Sequence, residues 1–168
     1  MKQLSKKIFF LCLAAGLLLG LFIKLFFLDV LKISGTSMEP TLKNGSRVVV
    51  CKTCYGLVKP FSGSFFIQWK SPKPDDIVIY LHENKIVVKR CIATGGTHLE
   101  FLQNSHYILK VNQKKIPLTP VQYQMMKAFQ EIPEGYILTI GDNMEDSIDS
   151  RDYGFVSVKN ITGKILGK

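Results

Sequence analysis

The sequence predicts a mainly β domain, built of antiparallel strands, that follows one N-terminal transmembrane helix. Residues 8–28 are apolar apart from Lys24, and a helix of this length, rising about 1.5 Å per residue, can cross a hydrocarbon core of about 30 Å. The rest of the 168-residue chain contains short runs rich in Val, Ile, Phe and Tyr, separated by turns that contain Gly, Asn or Pro. This alternation is typical of antiparallel sheets.

The span divides the chain into a cytoplasmic N-terminus (residues 1–7), a transmembrane helix (8–28) and an extracytoplasmic domain (29–168). Three of the first seven residues are lysines, and the positive-inside rule places such a segment in the cytoplasm. A cleavable signal peptide has a similar start. We favour a permanent anchor in the cytoplasmic (inner) membrane, with its lipid as a partner, because no Ala-x-Ala-like site follows the long apolar stretch.

Eight strands and one further helix are predicted after the span. The strands are expected at residues 47–51, 64–69, 76–81, 85–93, 99–103, 107–112, 136–140 and 161–166. The helix is expected at residues 119–130, with Thr119 as its N-cap and Pro120 in its first turn. We expect a small β and helical segment, at about residues 97–132, to be inserted in the main domain.

Composition and motifs exclude several classes of function. The net charge is +9 and 46% of the residues are apolar, which is too hydrophobic for a disordered polycation. The basic residues do not form the dense clusters of a nucleic-acid-binding protein. No phosphate-binding loop or His-Glu-x-x-His motif is present, and Met144 stands where a calcium loop needs an oxygen ligand. We therefore expect no nucleic-acid partner, no metal and no cofactor.

The cysteines and one aromatic stretch each allow two interpretations. Cys51 and Cys54 are compatible with a disulfide in an exported domain, although Cys91 is a competing partner. A zinc or redox role is not favoured, because no second pair of ligands accompanies them. Cys12 lies in the span, where packing is expected. Residues 56–69 are either a core strand or a membrane-facing loop whose Phe, Trp and Lys lie among the headgroups.

Residues 34–42 form a loop of mostly small residues shortly after the span. Gly35 and Pro40 hold it out of regular structure. The simplest interpretation is a linker between the anchor and the domain. A linker does not need two adjacent hydroxyls beside Met38, however, which we expect to be exposed. The alternative is that the loop presents Ser37 to a substrate.

Two adjacent cations interrupt the apolar strand at residues 85–93. Alternate side chains of a strand share a face, so Lys89 lies with Val87 and Cys91, and Arg90 lies on the opposite face. Burial would lower the pKa of a lysine from about 10.4, and a neutral lysine is a general base. The alternative is that the amine reaches solvent at a strand edge while the guanidinium pairs with an acid.

A third segment, residues 141–154 with the sequence GDNMEDSIDSRDYG, makes the pattern specific. It resembles the C-terminal signature of bacterial type I signal peptidases, which are membrane-anchored serine/lysine proteases that remove signal peptides. The segment around Ser37 is similar to the nucleophile box of that family, residues 76–78 to its short hydrophobic strand, and Lys89 with Arg90 to its lysine box. The order and spacing also match, and the resemblance extends over the whole chain.

The resemblance implies a fold of the signal-peptidase type and a role for each matching residue. Ser37 would be the nucleophile and Lys89 its general base, since a serine hydroxyl is a weak nucleophile without one. Ser147 matches a second hydroxyl that orients the lysine. Asp149 and Arg151 match an ion pair that stabilises the loop.

Other positions would support the site without reacting. Asp142 and Asn143 belong to the same signature, and Arg90 belongs to the lysine box. The backbone N–H of Ser37 is the expected first donor to the oxyanion. One branch of the family has a serine hydroxyl as second donor two positions before the nucleophile, where this chain has Gly35. The identity of the second donor therefore stays open.

The implied activity is that of a membrane-bound serine endopeptidase. It would cleave N-terminal signal peptides from exported preproteins after a small residue, at an Ala-x-Ala-like site. The family's Pro-Gly-Asp after the lysine box is replaced by Gly95-Gly96-Thr97, which affects the scaffold rather than the Ser/Lys dyad.

Three alternatives are weighed against this activity. A conjugation or pilin maturation peptidase of the same Ser/Lys class would show a similar pattern, although the complete signature at residues 141–154 favours the signal peptidase. A non-catalytic, membrane-tethered β binding domain would leave Ser37, Lys89 and Ser147 without a shared purpose. A Ser-His-Asp enzyme is disfavoured because the three histidines are scattered through the chain and no nucleophile-elbow motif is present.

Overall fold

A computed structural model describes residues 2–58, 65–103 and 106–167. The helices are α1 (Lys2–Phe26), α2 (Pro120–Met126) and α3 (Ser150–Tyr153). The strands are β1 (Leu28–Lys32), β2 (Arg47–Cys51), β3 (Gly56–Val58), β4 (Phe65–Gln68), β5 (Ile77–His82), β6 (Lys85–Thr94), β7 (Glu100–Gln103), β8 (Tyr107–Val111), β9 (Lys114–Leu118), β10 (Tyr136–Ile140), β11 (Val156–Ser157) and β12 (Ile161–Gly167). A short 3-10 helix, Val158–Asn160, precedes β12.

Antiparallel pairing arranges these strands in three sheets. The main sheet has seven strands in the order β1-β2-β12-β5-β6-β10-β11, β3 pairs with β4, and β7, β8 and β9 form a three-stranded sheet. Each of these pairs is antiparallel, so the predicted mainly β class is confirmed. The three-stranded sheet and α2 lie between β6 and β10 in the chain, within the segment that was expected to be an insertion.

Each predicted strand is present, two of them (β2 and β10) with the predicted bounds. Three strands were not predicted: β1, β9 and β11. β3 lies at the start of residues 56–69, for which a strand was one of the two interpretations. β9 contains Pro117, which cannot donate to a ladder, and it occupies the edge of its sheet, where proline is tolerated. β4 lies inside the strand expected at 64–69. Residues 59–64 are outside the described part of the chain, and the membrane-facing interpretation of 56–69 falls partly on them.

The N-terminal helix starts earlier and ends earlier than predicted. Within it, Lys6–Phe26 is long and apolar enough to cross a membrane. Leu28 was expected at the end of the span but instead begins β1, where it pairs with Cys51 of β2. Its backbone hydrogen bonds belong to the sheet, and this pairing is incompatible with one more turn of helix.

Helix α2 begins as predicted but is shorter than residues 119–130. The Thr119 hydroxyl accepts a bond from the Gln122 N–H at 3.2 Å, and the Gln122 side chain accepts one from the Thr119 N–H at 2.9 Å. This reciprocal pair is a capping box. The helix stops early because the Gln130 carbonyl accepts a bond from the Leu99 N–H at 2.8 Å, which ties the end of the predicted helix to the start of the insertion.

Cys51 and Cys54 form a disulfide, and Cys91 is a free cysteine. The competing pairing with Cys91 is therefore wrong. Cys91 is fully buried in an apolar cluster with Val78 and Tyr80 of β5. Burial raises the pKa of this thiol to about 12.

Candidate active site

The loop after β1 is anchored to the main sheet by two buried apolar side chains, and this fixes the position of Ser37. Met38 and Leu42 are each 2% exposed and pack in one apolar cluster with Val48 and Val50 of β2. The expectation that Met38 is exposed is therefore wrong. Its apolar side chain anchors the loop beside Ser37.

Polar contacts fix the same loop from its sides. Gly35 has φ +98°, in the region that favours glycine, and its N–H donates to Asn44 Oδ1 at 3.2 Å. The Thr36 hydroxyl donates to a carboxylate oxygen of Asp146. The two segments whose sequences resembled family signatures are thus bonded to each other on one side of Ser37.

Ser37 is half-buried, and its carbonyl accepts a hydrogen bond from the Asn143 N–H at 3.0 Å. Within the described residues, neither its hydroxyl nor its N–H has a hydrogen-bond partner. Both groups are therefore free to meet a substrate. Asn143 contacts the loop through its backbone, as a positioning residue would.

Strand β6 carries Lys89 into the interior, where it is 4% exposed. The alternative of an amine in solvent at a strand edge is therefore wrong. The amine donates to the Ser147 hydroxyl at 2.9 Å. Burial lowers the pKa of Lys89. The negative charge of the Asp149 carboxylate opposes this shift only partly, and the positive charge of Arg151 adds to it.

The Ser147 hydroxyl connects this amine to a buried ion pair. It donates to Asp149 Oδ2 at 2.6 Å, while Arg151 donates to both carboxylate oxygens of Asp149, at 2.9 and 3.0 Å. Arg151 also donates to the carbonyls of Met144 and Ser147, at 2.8 and 3.2 Å. A buried ion pair is sustained by such additional bonds, and here they fix the loop that carries Ser147.

Arg90 points to the other face of β6. Its Nε and a terminal nitrogen donate to the two carboxylate oxygens of Asp142 at 2.7 and 2.6 Å, and it also donates to the Asp75 carbonyl at 3.1 Å. The hydrogen bond to Asp142 is the main reason why the pKa of Arg90 is raised. This pair joins β6 to the segment that begins at Gly141.

Gly141 leaves no space for a side chain between the two reactive segments. A Cβ atom there would lie 2.2 Å from Ser147 Oγ and 2.6 Å from the Ser37 carbonyl oxygen. Its N–H also donates to Asp149 Oδ2 at 3.0 Å. Only glycine allows these backbones to approach so closely.

Ser37 and Lys89 line the same cleft, which has a volume of about 560 Å³. The other lining residues are mostly apolar and include Leu31, Ile33, Ile86, Val87, Val88 and Ile148. The pairing of β5 with β6 places Val78 opposite Lys89, so the predicted hydrophobic strand supports the floor of the site.

Sequence reasoning missed a buried polar cluster behind this network. The Tyr80 hydroxyl lies 3.0 Å from Thr139 Oγ1 and 2.6 Å from the Tyr153 hydroxyl, and the Ser150 hydroxyl accepts the Thr139 N–H at 3.0 Å. Burial raises the pKa of Tyr80. The one available signal was Thr139, a polar residue within an apolar strand.

The described part of the chain brings no three potential metal ligands together. Within the same part, the cleft is lined by none of the three histidines. His82 stacks on Tyr153, with ring centroids 3.9 Å apart, and His98 forms an isolated bridge with Glu131.

Comparison with known families matches residues 1–167 to the family described as signal peptidase, peptidase S26. The chain belongs to the signal peptidase family. Signal peptidase I of Bacillus licheniformis is 31% identical over 160 residues, which cover 88% of this chain and 80% of that one. Signal peptidase IB of Staphylococcus aureus (strain COL) is 31% identical over 153 residues, 79% of this chain and 73% of that one.

Longer relatives of this family also match. Thylakoidal processing peptidase 1 of Arabidopsis thaliana, a chloroplastic protein, is 31% identical over 134 residues. The match covers 79% of this chain but 39% of that relative, and 35% of a second Arabidopsis thylakoidal peptidase. A crystal structure of a signal peptidase I from Enterococcus faecalis V583 matches with a TM-score of 0.39 and 22% identity, over 56% of this chain and 97% of that one.

Proposed function

We propose that this chain is a membrane-anchored serine endopeptidase that cleaves N-terminal signal peptides from exported preproteins after a small residue. The observation that carries the proposal is the environment of Lys89. Its amine is buried, its pKa is lowered, and it donates to the Ser147 hydroxyl in a cleft that Ser37 also lines. Membership of the signal peptidase family supports the substrate class.

In this mechanism Ser37 and neutral Lys89 act as nucleophile and general base. The Ser37 oxygen attacks the carbonyl carbon of the scissile peptide bond while Lys89 accepts the hydroxyl proton. Lys89 then gives this proton to the leaving amine as the C–N bond breaks, which leaves an ester on Ser37. Water then attacks the ester while Lys89 accepts one of its protons. As the ester bond breaks, Lys89 gives this proton to the Ser37 oxygen, and the signal peptide leaves with a free carboxylate.

The surrounding residues keep Lys89 neutral and oriented. Ser147 receives one of the amine's hydrogen bonds and fixes its direction. Arg151 offsets the charge of Asp149, so this carboxylate is less able to keep Lys89 in its protonated ammonium form. Asp142 and Arg90 join the loop to the other face of β6.

The Ser37 N–H would donate a hydrogen bond to the oxyanion that forms on the scissile carbonyl. This N–H has no hydrogen-bond partner within the described residues. Gly35 lies at the position where one branch of the family has a hydroxyl, and it offers no side-chain donor. We therefore expect the second donor to be a group other than the residue two positions before the nucleophile.

We also propose that α1 anchors the enzyme with its N-terminus in the cytoplasm and the sheets on the extracytoplasmic side of the inner membrane. The support is the apolar segment Lys6–Phe26 together with the basic residues that precede it. Protease added to spheroplasts should degrade the domain after residue 29. Its protection until the membrane is permeabilised would reverse the orientation.

The function is tested by incubating the full chain, in detergent, with a preprotein that carries one Ala-x-Ala site and measuring the product masses. A cut directly after the second Ala is expected. The Ser37→Ala variant is the matched control for a contaminating protease and should leave the preprotein whole. Cleavage at other sites, or equal cleavage by the control, would contradict the proposal.

A further inference from the structure

The end of the membrane helix is joined to the main sheet without an intervening flexible linker. The Phe27 N–H completes the last turn by donating to the Ile23 carbonyl at 2.8 Å. The next residue, Leu28, already belongs to β1, which pairs with β2 in continuous register from Leu28 to Lys32. The anchor and the sheet are therefore consecutive rigid elements.

One residue from another part of the chain, Lys52, holds this junction through both its backbone and its side chain. The backbone N–H of Lys52 donates to the Phe27 carbonyl at 2.9 Å. Its amine donates to the Lys24 carbonyl at 3.3 Å and forms an ion pair with Asp29 at 2.9 Å. The last carbonyls of a helix lack partners within the helix and attract cations. Lys52 thus caps α1 from outside.

The disulfide encloses this capping residue. Cys51 and Cys54 flank Lys52 and Thr53 and are bonded to each other, and Cys51 also pairs with Leu28 at the start of β1. Cross-linking so short a loop restricts its backbone. We name residues 51–54, together with the Lys24 and Phe27 carbonyls and Asp29 that they hold, the anchor clamp.

The same strand that leaves the anchor clamp ends at the cleft. β1 has five residues, which span about 17 Å at the usual rise of a strand. Leu31 and Lys32 at its end, and Ile33 after it, line the cleft with Ser37. Since neither the helix end nor β1 contains a flexible linker, the position of the cleft follows that of the helix end, which the anchor clamp contacts.

We propose that Lys52, through the anchor clamp, is the positioning residue that holds the cleft at one height above the membrane, and that it thereby determines which spacing between the apolar segment of a preprotein and the cut is accepted. This inference rests on the proposed function. A preprotein held in the same membrane can reach Ser37 only if its cleavage site lies at the matching distance. Lys52 is in this view a positioning residue that determines specificity and has no part in the chemistry.

The test uses the full chain in lipid vesicles and a series of preproteins in which the segment between the apolar stretch and Ala-x-Ala is lengthened or shortened by three residues. Misplacement of reacting groups is costly, so the parent enzyme should cut the altered substrates at least about tenfold more slowly than the best one. In Lys52→Ala this penalty should shrink by about three- to tenfold, the effect of losing a charged hydrogen bond and an exposed ion pair.

Three further variants separate positioning from a general structural effect. Lys52→Arg keeps a cation at the helix end and should restore the parental penalty. Lys110→Ala removes another surface ion pair, with Glu100, from the three-stranded sheet and should leave the penalty unchanged. The double variant Cys51→Ser/Cys54→Ser should reduce the penalty as Lys52→Ala does. If the double variant does not fold, the Lys52→Ala result decides the question alone.

A short soluble Ala-x-Ala peptide, which is not held in the membrane, distinguishes the two proposals. The parent and Lys52→Ala should cut it at the same rate. A parent enzyme that cuts every spacing equally, or a Lys52→Ala variant that keeps the full penalty, would overturn the role of the anchor clamp while leaving the proposed function intact. Failure of the parent to cut even the soluble peptide would contradict the proposed function, and this inference with it.

Discussion

Lys89 and Arg90 are neighbours on β6, but their side chains enter opposite environments. The buried Lys89 amine donates to the neutral hydroxyl of Ser147 at 2.9 Å. The half-buried Arg90 guanidinium holds both oxygens of Asp142, at 2.7 and 2.6 Å. Burial lowers the pKa of the lysine, whereas the bond with Asp142 raises that of the arginine.

The difference teaches that burial can make a base of the Lys89 amine but not of a guanidinium, which stays protonated and uses its charge to hold Asp142. The buried carboxylate nearest to this network, Asp149, is engaged by Arg151 and is linked to Lys89 through the Ser147 hydroxyl. One strand therefore carries a titratable amine on one face and a permanent cation on the other.

Lys89→Arg removes the difference between the two faces and should have the largest effect. A guanidinium stays protonated and cannot accept the Ser37 proton, so cleavage should fall by about 10²- to 10⁴-fold, the contribution of a general base. Product masses from the Ala-x-Ala preprotein measure the loss, and circular dichroism checks the fold. Arg90→Lys is the matched control and should keep most of the activity.

The parent enzyme should show the corresponding pH dependence. Only the neutral amine is a base, so the rate should rise as the pH increases through the lowered pKa of Lys89 and should be lost below it. A cleavage rate that decreases as the pH increases through this range would contradict Lys89 as the base, and so would a Lys89→Arg variant as fast as the parent.

Arg151→Met exposes Lys89 to the full charge of Asp149 and so makes the two faces more alike. Breaking a buried ion pair on one side costs about 3–5 kcal/mol of unfolding free energy, measured by urea denaturation. The uncompensated carboxylate should also raise the pKa of Lys89 and move the rise in activity to higher pH. An unchanged pH profile would contradict the shielding role of Arg151.

Two companions make that experiment decisive. Asp149→Asn combined with Arg151→Met removes both charges and should recover part of the stability and the parental pH profile, which keeps the test valid if the single variant unfolds. Lys110→Met breaks the exposed pair with Glu100 and should cost less than about 1 kcal/mol.

Asp142→Asn weakens the contact that Arg90 makes on the other face of β6. Burial opposes ionisation of Asp142, but the bonds from Arg90 prevail and lower its pKa in the folded state. A carboxyl with a depressed folded pKa stabilises the protein above its unfolded pKa of about 3.9, and this contribution disappears as the pH falls through the folded value. The variant should therefore lose about 1–3 kcal/mol at pH 7 and less at pH 3, as measured by unfolding at both values. Equal losses would contradict the ion pair.

The histidines should matter least, because none of them lines the cleft within the described residues. Replacing His82, His98 and His106 together by Ala should leave the cleavage rate within about twofold, since proton transfer of the usual general-base size is not lost. Loss of the stacking of His82 on Tyr153 should cost about 0.5–1.5 kcal/mol of stability. An inactive triple variant, with Lys89→Arg still active, would refute the serine/lysine mechanism.

The sequence predicted the parts of the fold that depend on local pattern. Alternation and turn residues located every strand that is rich in β-branched residues, and Thr119 located the start of α2. β1 was missed because it continues the apolar stretch of the span, and its strand character comes from pairing with β2, which is distant in the chain. β9 was missed because Pro117 is a sequence signal against strand.

The candidate site was predictable for a similar reason and only in part. The apolar surroundings of Lys89 in the strand pattern indicated burial before its contacts were known. The tie between Thr36 and Asp146 could not be predicted, because it joins segments 110 residues apart. Met38 was placed on the wrong side of its loop, since a single apolar residue among small ones does not reveal which face meets the core.

The inserted segment leaves the main sheet at Thr94 and returns at Tyr136, and Thr94 pairs with Ile137 across two adjacent strands. An excursion that starts and ends at neighbouring points can change length in evolution without moving either strand. Its removal has a limit, however, because Leu109 and Ile116 of the segment pack in the cluster that covers Leu138 of β10. A chain that lacked these residues would expose Leu138 and its neighbours, and it would need polar replacements there to remain soluble. The length of the segment can therefore vary, but the part of it that covers β10 is needed.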